Sequence, residues 1–96
     1  MHVGTLELAL RVHGASSLKD RRRVVQALVT RLRNKFNAAV VDLDQDPEPN
    51  AARVGVVCVA NESRYLDGQL TAIVDFVESV HLPIEVVDDV REIIQV

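Results

Sequence analysis

The chain has 96 residues, 48% of them apolar and 26% charged, with a formal net charge of −3. That length supports one core, burying between about 60% and 70% of the unfolded surface without metal or disulfide staples, and the single cysteine, Cys58, has no intramolecular partner and reads as a small core residue among valines. The acidic balance argues against indiscriminate nucleic-acid binding, no apolar run approaches a membrane span, and the alternating N-terminus without a basic region is not expected to act as a signal peptide, so a reducing cytoplasm is the expected location.

Residues 2–13 alternate. Gly4, Leu6, Leu8, Leu10 and Val12 share one face, while Thr5, Glu7, Arg11 and His13 share the other, as in a half-buried strand. Gly14 and Ala15 then turn the chain into its most distinctive stretch, residues 16–36, SSLKDRRRVVQALVTRLRNKF. At about 100° per residue, Leu18, Val25, Leu28, Val29, Leu32 and Phe36 form an apolar sector. Lys19, Arg22, Arg23, Gln26, Thr30 and Arg33 form a basic-polar stripe beside it. Ser16 or Ser17 is the natural N-cap, and Ser17 with Asp20 makes a short capping box. Asn34 or Asn37 is suited to ending the helix in a left-handed cap.

This helix holds seven of the eleven Lys and Arg residues and one acid, Asp20, so it carries +6 while the remainder sums to −9. Four of those cations crowd its first two turns, where the helix dipole is positive and anions are favoured. An external anion such as phosphate relieves that crowding; a solvated basic face partly neutralised by neighbouring acids is the plain alternative. The candidate anion-binding residues are Lys19, Arg22, Arg23 and Arg33, with Arg21 near the exposed N-terminus assisting.

Residues 38–45 read as a second strand, with Ala39, Val41 and Leu43 opposing Val40, Asp42 and Asp44. Pro47 and Pro49 break the pattern in a hairpin loop, since neither donates an N–H. Residues 51–61 form a third strand, apolar on both faces and therefore central, with Gly55 marking a bulge or a close contact. Asn61 or Ser63 caps a second helix reaching about Val80, whose inward stripe is Leu66, Leu70, Ile73 and Val77, with Tyr65 and Phe76 at its flanks. Residues 84–96 form a last strand, bulged near Asp88–Asp89 and fraying at its end. The order βαββαβ predicts a single α+β domain over residues 1–96. Its expected form is ferredoxin-like, a four-stranded antiparallel sheet with both helices on one face, strands 1 and 3 central and strands 2 and 4 at the edges.

The stretch MHVGTLELALRVHGASSLKDRRRVVQALVTRLRNKFN, followed by AVVDLD and VGVVCVAN, resembles the bacterial YlxP-like family of small proteins of unknown function over nearly the whole chain. Ser17-Leu18-Lys19-Asp20-Arg21-Arg22-Arg23 is similar to that family's Ser-Leu-Lys-Glu-Lys-Arg signature, and Asn34-Lys35-Phe36-Asn37 follows it. The resemblance implies a ferredoxin-like domain. It also hints at RNA, because genes of the family often lie beside those of transcription and ribosome-maturation factors. It supplies no catalytic residues. Where the family commonly has a hairpin with histidine and tryptophan, this chain has Gln45-Asp46-Pro47-Glu48-Pro49-Asn50, so any contact made by that aromatic is missing.

Phosphate neutralisation needs clustered cations, which the first helix has. Sheet-face RNA readers of this topology stack bases on aromatics, whereas Phe36, Tyr65 and Phe76 all belong to helices, and the open face is expected to show Thr5, Glu7, Arg11, Asp42 and Asp44. Small acylphosphatases share the topology and use an arginine after the first strand, but the second glycine of their loop and their asparagine motif have no counterpart here. Asp42, Asp44, Asp46 and Glu48 lack the glycine and glutamate of a calcium loop and read as an edge-strand guard. His2, His13 and His81 have no ligand spacing. The expectation is therefore a protein without catalytic residues, metal or cofactor, which binds RNA or a ribosomal particle through the first helix. The alternative is a homodimer or hetero-partner module using a partly apolar open sheet face formed by Val3, Ala9, Val57 and Val59.

Overall fold

Alternation along the first strand sets the architecture. In the computed structural model, which describes residues 1–43 and 47–96, β1 spans His2–Val12 and buries Gly4, Leu6, Leu8, Leu10 and Val12. It pairs antiparallel with β3 (Ala51–Ala60) on one side and β4 (Ile84–Gln95) on the other. β2 (Ala39–Asp42) adds to the far edge of β3, giving the strand order β2-β3-β1-β4. Two helices complete the α+β, ferredoxin-like fold: α1 (Leu18–Lys35), packed on β2 and β3, and α2 (Ser63–Ser79), packed on β1, β3 and β4. Their apolar stripes meet the inner sheet face in one core, with Val25, Leu28, Val29 and Leu32 from α1 and Leu66, Leu70, Ile73, Val74 and Val77 from α2. Val74 lies one residue beyond the expected inward stripe. Cys58 is buried in this core, and desolvation pushes its thiol pKa up.

Gly14 makes the turn from β1 into α1 with a φ of 75°, the left-handed region that a side chain disfavours. Ser17 is the N-cap of α1, its hydroxyl accepting from the Asp20 N–H at 3.1 Å. The Asp20 carboxylate does not close the expected box on Ser17. It accepts instead from the Ser16 hydroxyl at 3.0 Å and the Ser16 N–H at 3.3 Å, and these bonds hold the Asp20 carboxyl below its ordinary range. The far end of α1 also differs from expectation. Phe36 closes it in an extended conformation, its N–H still bonded to the Leu32 carbonyl, and neither asparagine takes a left-handed cap. Leu18, placed in the apolar sector by periodicity, is 38% exposed. Helical side chains lean toward the N-terminus, so that of the first residue projects off the end of the core.

Three further boundaries move. β2 stops at Asp42, and the rest of the expected strand falls partly on residues 44–46, which lie outside the described residues, so the expected placement of Asp44 does too. Asp42 pairs with Val54, a residue of the helix-covered side, and is half-buried there instead of lying on the open face. The N-cap of α2 is Glu62, not Asn61 or Ser63, and its side chain makes no capping hydrogen bond. In β4 the register shifts opposite Ala9 and Leu10, which leaves Val87 without a partner in β1, just ahead of the expected bulge. The end of β4 stays paired: Gln95 faces His2, and the Val96 N–H bonds to the Met1 carbonyl at 2.8 Å.

Candidate nucleic-acid interface

The cations of α1 divide into two groups with different surroundings. Arg21 lies among the core residues at 2% exposed. Its guanidinium donates through Nη1 to the carbonyl of Glu48 at 2.6 Å and to that of Ala51 at 3.0 Å, across the start of β3. The expected assisting role for Arg21 is thus corrected: the side chain is buried and ties α1 to the end of the β2–β3 connection. Charge-assisted bonds of this kind are the form in which a buried guanidinium is tolerated. The helical angle carried the signal, because at about 100° per residue Arg21 falls between Leu28 and Leu32, inside the apolar sector.

Lys19, Arg22, Arg23 and Arg33 are exposed. Arg33 leans to the β2 side and donates to the Val40 carbonyl. Lys19 and Arg23, one helical turn apart, form no ion pair with any acid among the described residues, and neither does Arg31. Asp20, the one acid of the helix, is turned back onto Ser16, and the Arg23 charge adds only a minor part to the lowering of its carboxyl pKa. On the opposite flank Lys35 sits 5.4 Å over the Phe76 ring, which itself meets Phe36 edge-on with centroids 5.8 Å apart. From Lys19 to Arg33 the helix rises about 21 Å, and this outer face is where the predicted stripe of cations is displayed. Ion pairs away from this helix join Arg53 to Glu7 at 2.9 Å, Arg11 to Glu85 at 3.9 Å, and Arg91 to Asp67 and Asp89.

The opposite surface is the uncovered face of the sheet. Val41, Val57, Val59, Val90 and Ile94 are each between 41% and 62% exposed there, and a shallow groove of about 430 Å³ crosses all four strands. Thr5, Glu7, Val41, Leu43, Val57 and Val90 are among its lining residues. Gly55 makes room for Leu43, whose Cδ1 would lie 3.0 Å from a Cβ added to that glycine. No aromatic side chain lines this groove. No cluster of three metal-ligating side chains occurs among the described residues, and no described helix is long and apolar enough to cross a membrane.

An α+β domain with a cation-bearing first helix and an uncovered apolar sheet face is thus the class that the geometry defines. The chain belongs to the family described as protein of unknown function (DUF503), whose model matches residues 3–90. It is similar to the uncharacterized protein YlxP of Bacillus subtilis (strain 168), with 25% identity over 77 residues, covering 80% of this chain and 84% of that one. The YlxP-like signature around Ser17–Arg23 therefore belongs to a family relationship. Among solved structures, a variant of SnoaB, a cofactor-independent oxygenase from Streptomyces nogalater, is similar at 12% identity and a TM-score of 0.46, covering 99% of this chain and 92% of that one.

Proposed function

We propose that this chain is a non-catalytic accessory protein of the cytoplasm that binds RNA backbone, free or within a ribosomal particle, through the outer face of α1. The observation that carries this reading is the placement of Lys19 and Arg23 on one exposed turn without an ion pair to an acid among the described residues, while Asp20, the one acid of the helix, is held by Ser16 and feels the Arg23 charge only as a minor contribution. Arg33 extends the same face, and Arg22 lies between the core and this row. Cations placed at the positive end of a helix dipole are locally unfavourable, and phosphate oxygens relieve them by accepting from ammonium and guanidinium groups together. An acidic remainder restricts such contact to this one face. With no aromatic on the open sheet face, the reading is one of backbone contact, not of base stacking.

The test is purification of the tagged chain from cells with and without nuclease treatment. RNA is expected to co-elute, to disappear on nuclease treatment, and to be lost from a Lys19→Gln/Arg23→Gln variant that still folds. RNA-free wild type in untreated lysate, or equal RNA recovery with the variant, overturns the reading.

A further inference from the structure

We infer that the uncovered sheet face is the interface of a two-fold dimer with a second copy of this chain, in which β2 of one copy lies over β4 of the other. The face sets exposed apolar side chains among the charged Glu7, Arg53, Asp88 and Glu92. Its exposed valines and Ile94 come from three different strands and adjoin half-buried Val3 at the centre. Contiguous patches of this kind mark association sites.

Area supports a second copy as the occupant. Three strands about 4.8 Å apart over the stretch from Val3 to Arg11, with the shorter β2 beside them, make a face of about 450 Å² in plan. Two such faces together come to about 900 Å² in plan, and the relief of the side chains brings the buried area to the ~1,000 Å² at which a specific interface becomes credible.

The relief of the face is complementary to itself. The two central strands present matched levels on this side: Val3 beside Val59, Thr5 beside Val57, Glu7 beside Gly55, Ala9 beside Arg53, and Arg11 beside Ala51. At the three charged levels a long side chain stands next to a short one. A two-fold axis running along the strands, between β1 and β3, lays β1 of one copy over β3 of the other. Each long side chain then faces a short residue: Arg11 over Ala51, Arg53 over Ala9, and Glu7 over Gly55 with its covering Leu43. At the same levels Val3 meets Val59, and Val90 of β4 meets Val41 of β2, since both flank the level of Glu7 and Gly55. Glu7 and Arg53 are already paired at 2.9 Å within one chain, so closing the interface buries no isolated charge there. A two-fold axis across the strands instead sets the valine end against Arg11 and Glu85, which the charges disfavour.

Sedimentation of the full chain tests the arrangement, with circular dichroism as a check on folding. The wild type is expected as a dimer whose association is little changed by salt, as suits an apolar interface. Val90→Lys and Val41→Asp, both at exposed positions, are each expected to give folded monomers, because each sets a charge over a valine of the partner. Mixing the two variants is expected to restore a dimer, since one introduced lysine then lies over one introduced aspartate while the remaining Val41 and Val90 still meet. A wild type that stays monomeric at high concentration, including one that binds only another protein, overturns the inference. So do variants that remain dimeric, or a mixture of the two monomers that fails to associate.

Discussion

The inner and outer sides of α1 carry the same cationic residue type to different ends. Arg21 and Arg23 stand about 200° apart around the helix axis. Arg21 points inward, loses its water and satisfies its guanidinium on two carbonyls of the β2–β3 connection. Arg23 points outward and forms no ion pair among the described residues, with only a minor electrostatic contribution to Asp20. Residue type therefore says little about role in this segment, and angular position relative to the sheet says much. A count of basic residues overstates the exposed cationic surface by including a structural one.

The largest expected effect is on the inner side. Leu32 is fully buried between α1 and the sheet, and Leu32→Ala is expected to destabilise the fold by about 2–5 kcal/mol through lost burial and a residual cavity. Denaturant melts measure this, and a loss under about 0.5 kcal/mol, the range of neutral surface changes, breaks the assigned helix register. Arg21→Ala comes next. It removes the two guanidinium bonds to the carbonyls of Glu48 and Ala51 and is expected to cost about 1–3 kcal/mol, with faster amide exchange at the start of β3. An unchanged melting curve would return Arg21 to the surface group.

The smallest effect is the pH dependence of the helix start. Bonds from Ser16 lower the Asp20 carboxyl below its ordinary 3.8. A group lowered on folding contributes stability that is present above the ordinary value and is lost as pH falls through the lowered one. The stability gap between wild type and Asp20→Asn is therefore expected to shrink below pH 3.8. A gap that widens on acidification contradicts the Ser16–Asp20 bonding.

Much of the fold was legible because alternation and helical period are local. The two faces of β1, the apolar stripe of α1 and the order β2-β3-β1-β4 all follow from patterning and crossover handedness. What was not legible depends on partners distant in sequence. Asp42 is assigned to the inner side by its register with Val54, and Arg21 by carbonyls 27 and 30 residues away. Caps were weakly legible, since Asn61, Glu62 and Ser63 compete at α2 and the backbone settles on the residue with no capping bond. Of the five predicted site residues, the structure keeps Lys19, Arg22, Arg23 and Arg33 at the surface and withdraws Arg21.

The central claim is that the outer face of α1 meets phosphate, and the most direct test is the affinity of wild type and of Lys19→Gln/Arg23→Gln for a single-stranded oligouridine at several salt concentrations. The wild type should bind with an affinity that falls linearly in log salt. The double variant should bind more weakly and show a slope flatter by about 0.7 for each lost contact. Its folding stability should stay within about 0.5 kcal/mol of wild type, because neither side chain holds another part of the chain. Equal affinities and equal slopes, with both proteins folded, would contradict the claim and leave the outer face of α1 as solvated surface.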